Sequence, residues 1–214
     1  MAIRLSKPSK MPCHSWSLPA VDTCPGAKQK GGELVAACKG CYATAGRYHC
    51  PNVKEPREEN KIDWHRDDWV PDMIQELDTH RYFRWFDSGD VYRVELAEKI
   101  LEVMASTPWV KHWLPTRSHK SPKINAVLEK MEALPNVMVR RSSDGIFGEH
   151  DERHGSTIIP DPESATESMT VCGAYSRDGK CGPCRACWDK GIDLIAYPAH
   201  GAKMHKVIRI AVSA

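Results

Sequence analysis

An α/β fold built on a parallel sheet is what the sequence predicts for this 214-residue chain, and two observations carry the prediction. Between residues 69 and 140, short runs rich in aromatic and β-branched residues alternate with longer runs whose apolar residues recur at helical spacing. A strand, helix, strand, helix, strand succession of this kind pairs its strands in parallel through right-handed crossovers. On either side of that stretch the chain is rich in Pro, Gly and Cys, which implies loop-rich, cysteine-bearing N-terminal and C-terminal segments.

Residues 1–60 show no sustained period and read as loops organised by metal. Residues 69–79 form a helix with Asp67 or Asp68 as its cap, and 82–86 (Y-F-R-W-F) a short aromatic strand that ends in D-S-G-D. Val94, Ala97, Ile100, Leu101 and Met104 recur at helical spacing, which predicts a helix over 91–106, followed by a strand over 111–114. Ser121 and Pro122 stand as N-cap and first-turn proline of the next helix, with Ile124, Val127, Leu128, Met131 and Leu134 on its inner face and Pro135 ending it. A strand follows over 137–140. The polar stretch 142–168 reads as a surface excursion or lid, 169–171 leads into the second group of cysteines, and 194–197 and 207–212 read as late strands. The expected organisation is one domain over 1–214: a cysteine-rich cluster loop (1–60), a β/α core (61–171), and a C-terminal part (172–214) with a cysteine cluster and the last strands.

With 41% hydrophobic residues, 27% charged and a net charge of +2, the composition is that of a globular protein. The basic residues are dispersed, which argues against a dedicated nucleic-acid binder. The N-terminus (M-A-I-R-L-S-K-P-S-K) has no apolar run of signal-peptide length, and no later segment reaches the length of a membrane span. A cytoplasmic protein is expected, in a reducing compartment that leaves thiols available for metal. The absence of a sustained heptad or exposed apolar stripe favours a monomer.

Seven of the nine cysteines fall into two groups. Cys172, Cys181, Cys184 and Cys187 have the spacing C-x8-C-x2-C-x2-C, and three thiolates crowded among small residues suit the corners of an iron-sulfur cube. Zinc, which more often takes two separated pairs, is the alternative. Cys24, Cys38 and Cys41 have the spacing C-x13-C-x2-C. Three thiolates on a cube leave one iron for a substrate or cofactor; the alternative is a zinc site completed by a histidine, His14 and His49 being nearest in sequence. Cys13 and Cys50 are unassigned. His150 and His154 have i, i+4 spacing, but the polar, glycine-bearing surroundings favour a solvated loop over a helical ligand pair.

In a parallel α/β fold, loops leaving the C-terminal ends of strands gather where ligands bind. Two of them carry chemistry. Asp87, Ser88, Gly89 and Asp90 follow the aromatic strand with two carboxylates, a hydroxyl and a glycine, although the same four residues would also serve as a turn with Asp90 capping the next helix. Thr116, Arg117, Ser118 and His119 bring a guanidinium suited to carboxylate or phosphate beside an imidazole.

The segments K-M-P-C-H-S-W-S-L-P-A, T-C-P-G-A, C-x2-C-Y-A, D-S-G-D-x-Y, L-P-T-R-S and C-x2-C-x2-C-W resemble an uncharacterised bacteriophage family known as gene product eighty-eight, over most of the chain. More distantly, the arrangement is similar to the radical S-adenosylmethionine superfamily. That resemblance implies a partial (β/α) TIM-like barrel. It implies a 4Fe-4S cluster on Cys24, Cys38 and Cys41, and Asp87, Ser88, Gly89 and Asp90 facing the methionine amino group. Arg117 or Ser118 would contact its carboxylate or ribose. Cys172, Cys181, Cys184 and Cys187 would then hold an auxiliary cluster. The superfamily's usual first motif is C-x3-C-x2-C with an aromatic before the last cysteine, whereas here the first gap is thirteen residues and Tyr42 follows. A phage origin would place the protein in the host cytoplasm.

Other classes fit the same residues: a metal-organised binder of single-stranded nucleic acid that stacks bases on some of its seven tryptophans, or a redox carrier. Core packing is the competing use of Trp85, Trp113 and Trp188. The substrate is not readable from the sequence.

Overall fold

The computed structural model, which describes residues 3–150 and 153–213, is built on one seven-stranded sheet whose paired neighbours all run parallel. The strands are β1 (His14–Trp16), β2 (Tyr82–Trp85), β3 (Lys111–Thr116), β4 (Val137–Ser142), β5 (Gly155–Ile159), β6 (Thr170–Val171) and β7 (Leu194–Pro198). Their spatial order is β1-β2-β3-β4-β5-β7-β6, so only the last two exchange places, and β1 and β6 stand at opposite edges. The helices are α1 (Ala36–Lys39), α2 (Pro51–Asp63), α3 (Trp69–Glu76), α4 (Val94–Ser106), α5 (Pro122–Glu132) and α6 (Ala202–Val212). Among the described residues none is long and apolar enough to cross a membrane.

Successive residues of a strand point to opposite faces of the sheet, and here the two faces have different neighbours. Phe83, Trp85, Leu114, Val137 and Val139 join the main core with Trp69 and Met73 of α3, Leu96, Ile100 and Met104 of α4, and Val127, Leu128 and Met131 of α5. Trp16 anchors β1 to this core, edge-on to Trp69 at 5.3 Å and to Trp85 at 6.1 Å. The alternate residues Tyr82, Trp113 and Met138 meet Met11, Cys13 and Trp188 on the other face. Cys181 and Cys187 pack there as well.

On the helix side, His112 is fully buried. Trp85 Nε1 donates to its Nδ1 at 3.3 Å, so Nε2 carries the proton and meets Thr107 Oγ1 at 2.9 Å, while that hydroxyl donates to the Val103 carbonyl. Burial pushes the imidazole from its ordinary 6.5 down to about 3. The unfolded chain therefore takes up a proton that the folded one refuses between those values. Stability is expected to fall as pH drops from 6.5 towards 3, and a His112→Gln variant to show a shallower fall in urea unfolding across that range. Equal slopes for the two proteins would locate the effect elsewhere.

The helices and strands of 69–140 lie where the pattern predicts them, with edges shifted. Helix α4 starts at Val94, with Arg93 rather than Asp90 in the N-cap position. Asp68 occupies the N-cap position of α3, yet its carboxylate pairs with Arg66 at 2.6 Å instead of capping.

Three expectations are corrected. Residues 1–60 contain β1 and most of the thirteen-residue α2, whose buried face is Arg57, Asn60 and Asp63, so its helical period is carried by polar residues and leaves no apolar stripe. The stretch 142–168 contains β5, an interior strand between β4 and β7; only five residues long and buried on both faces, it shows no alternation. Residues 207–212 belong to α6, not to a strand. There Met204, Val207 and Ile208 pack at helical spacing against Ala37 and Ile146, while Ile210 and Val212 remain exposed.

A cysteine-lined cavity as the candidate functional site

At the C-terminal ends of the strands lies a cavity of about 1000 Å³. Cys24, Cys38, Cys41, Cys172, Cys181, Cys184 and Cys187 all line it, so the two sequence groups open onto one space.

The thirteen-residue gap of the first group is closed by a small antiparallel return. Lys28 bridges Leu34, Gln29 N–H donates to Glu33 O at 2.8 Å, and Val35 N–H donates to Ala27 O at 2.9 Å. The return brings Cys38 on α1 back beside Cys24, where both pack with Ala27, Leu34 and Val35. Burial pushes the Cys24 thiol up to about 12, and Asp90, Cys38 and Cys41 add to the push. Burial raises Cys38 as well, with Arg117 opposing.

The second group is held from two sides. Cys172 N–H donates to Ala196 O of β7 at 2.8 Å, and Cys181 N–H donates to Lys10 O at 2.8 Å. Lys180 Nζ reaches Ser9 O at 2.8 Å, and Cys181 and Cys187 pack with Met11, Cys13 and Trp113, so the second group lies against the N-terminal segment over β2 and β3. Beneath Cys187, the fully buried Arg140 donates to the carbonyls of Ala186 (3.0 Å), Cys187 (3.2 Å), Asp189 (2.9 Å) and Ile192 (3.0 Å). Burial pushes Cys187 up to about 11, opposed by the Tyr197 hydroxyl 3.4 Å from its sulfur.

Among the described residues, no group of three or more His, Cys, Asp or Glu side chains is arranged to hold a metal ion. The donor set suits an iron-sulfur cluster in its chemistry: soft thiols converge on one cavity from two sides. Neither histidine near the first group joins it. His14 Nδ1 meets His80 Nε2 at 3.0 Å, and His49 lies against Thr44 O. Cys13 is buried behind Cys181 and Cys187, and Cys50 is exposed in the N-cap position of α2. His150 and His154 contact the Gly148 and Lys190 carbonyls, with residues 151 and 152 between them outside the described residues.

Asp87, Ser88, Gly89, Asp90 and Arg117 line the cavity as well. Their polar groups are engaged by the protein. Asp87 accepts from Arg57 Nη2 at 3.1 and 3.0 Å, from Tyr48 at 3.1 Å and from Ser17; Arg57 Nε also donates to Ser88 Oγ at 2.7 Å. Asp90 accepts from Thr116 Oγ1 and Val91 N–H at 2.7 Å and from Arg117 N–H at 2.8 Å; burial raises its carboxyl, which these bonds oppose. Gly89 has φ +74°, and a Cβ there would lie 2.6 Å from Leu18 Cβ, so glycine serves close packing of the loop on residues 18–23. Arg117 donates to Ser143 O at 3.0 and 2.7 Å, and Ser118 is buried beside it with its N–H on Thr116 Oγ1.

Arg57, Arg84 and Arg140 are the functional candidates that sequence reading passed over. Arg84 and Arg140 were visible as single charges inside the strands Y-F-R-W-F and V-M-V-R. Arg57 lies in the charge-rich α2 and carried no signal. Six of the seven tryptophans, Trp85, Trp113 and Trp188 among them, are buried, and only Trp109 is exposed.

The geometry defines an α/β protein with one parallel sheet and a cysteine-lined cavity at its C-terminal strand ends. The chain belongs to the Gene product 88 family, whose model matches residues 2–190 and so includes both cysteine groups. No curated protein and no solved structure matches it.

Proposed function

We propose that the chain is an iron-sulfur enzyme on a partial (β/α) barrel whose two cysteine groups serve one reaction chamber. The observation that supports this is the convergence of both groups on a single cavity at the C-terminal strand ends. Cys24, Cys38 and Cys41 would hold one 4Fe-4S cluster, leaving one iron for S-adenosylmethionine, and Cys172, Cys181, Cys184 and Cys187 a second. When bound, such clusters supply single electrons. The chain's own residues orient and enclose. Arg57 and Tyr48 fix the Asp87–Asp90 loop beside the first group, and Arg140 fixes the turn that carries Cys187. Six of the seven tryptophans are buried and fill the core, so they are not the base-stacking surfaces that single-strand binding would use.

Iron, sulfide and zinc analysis of protein purified without oxygen tests the proposal, with electron paramagnetic resonance before and after adding S-adenosylmethionine. Iron and sulfide are expected, with a spectrum that shifts on addition. Cys38→Ala should remove one cluster and leave the other. Zinc without sulfide would overturn the reading, and an unshifted spectrum would remove S-adenosylmethionine from it.

A further inference from the structure

We infer that the cavity takes a small anionic molecule with a planar ring, its acid group on Arg84 and its ring against Tyr42, His200 and Tyr175. The inference rests on the proposed function only in taking this cavity as the place where ligand binds.

Three arginines inside the protein differ in how their donors are used. Arg57 is paired with Asp87, and Arg140 is saturated by carbonyls. Arg84, on the cavity face of β2, makes no ion pair among the described residues. Its guanidinium stacks on Trp113 at 4.6 Å, and its contacts are the Met11 sulfur at 3.2 Å and Tyr42 Oη at 3.4 Å. Its Nε is buried with no partner. Leaving a charged donor so placed is costly, and the N–H hydrogens of this planar fork that Met11 and Tyr42 do not take up match a carboxylate or phosphate. The two carboxylates that line the cavity, Asp87 and Asp90, are already engaged by other groups.

From Arg84 a band of rings leads along the wall. Tyr42 stacks with His200 at 6.3 Å, and His200 meets Tyr175 at 4.4 Å, with Lys10 Nζ 4.7 Å above the Tyr175 ring. Tyr42 and Tyr175 are 44% and 43% exposed, so part of each ring remains open to the ring of a flat ligand. Cations at both ends of an aromatic band select a ring that carries negative charge.

Binding of adenosine monophosphate and of benzoate, measured by calorimetry beside their ring and acid fragments alone (adenosine and inorganic phosphate, benzamide and acetate), tests the inference on protein of known iron content. At least one ring-bearing acid should bind tenfold or more tightly than its fragments. The nucleotide alone would identify a phosphate-bearing ligand, and benzoate alone an aryl carboxylate. Arg84→Gln should weaken that binding at least tenfold with iron content unchanged; if this variant does not fold, Tyr175→Leu and Lys10→Gln should each weaken it several-fold. Neither acid exceeding its fragments would overturn the inference. So would an Arg84→Gln protein that loses iron but keeps its affinity, since Arg84 would then serve only to neutralise the nearby thiolates. Iron-free protein that still binds through Arg84 would overturn the iron-sulfur reading alone, and iron-loaded protein that binds neither acid the inference alone.

Discussion

Arg140→Met is expected to destabilise the protein by about 3–5 kcal/mol and to release the turn that carries Cys187. The side chain is fully buried and its donors go to backbone carbonyls of residues 186–192 rather than to a carboxylate. These carbonyls belong to a segment without strand or α-helix, which has few other internal donors to turn to. Methionine fills a similar space but donates nothing. Denaturant unfolding would measure the loss, and alkylation of Cys187 in the folded state should accelerate. Equal stability of the variant would mean that water replaces the guanidinium without cost. Arg140→Lys should recover little, because an ammonium cannot reach carbonyls arranged around a planar fork.

The second large effect is expected at the Arg57–Asp87 pair. Both side chains are 7% exposed, and the carboxylate also receives Tyr48 and Ser17. Removing one partner strands the other charge, so Asp87→Asn and Arg57→Met should each cost about 3–5 kcal/mol. The double variant should cost clearly less than the sum, which a double-mutant cycle would measure. Additive losses would show that the two groups are stabilised separately. Because Asp87 connects β2, α2 and the end of β1, both variants should also loosen the loop that faces Cys24 and Cys41.

What was legible in the sequence was whatever the hydrophobic period writes directly. Ile124, Val127, Leu128 and Met131 named the inner face of α5, and Y-F-R-W-F named β2. Helix α2 was illegible because its inner face, Arg57, Asn60 and Asp63, is polar, and two of the three find their main partners far along the chain: Arg57 in Asp87, Asn60 in the Arg4 and Ser17 carbonyls. The run K-V-I-R-I-A-V in α6 reads as a strand because its β-branched residues alternate; packing on Ala37 and Ile146 overrides that preference. The cysteines could be grouped by spacing, but their meeting in one cavity depends on the crossover order of the sheet. Arg84 and Arg140 needed the pleat, which turns both towards the cysteine side, before either could be given a role.

The bonds from Lys180 to Ser9 and from Cys181 to Lys10 also set a schedule for biosynthesis. Their partners are up to 171 positions apart. At ribosomal rates of about 5–20 residues per second, Ser9 waits roughly 10–30 s for its donor to emerge. During that interval Cys24, Cys38 and Cys41 have already left the ribosome without the last wall of the chamber. The first cysteine group is therefore without its facing wall for that interval, whereas the second emerges after six of the seven strands have been synthesised.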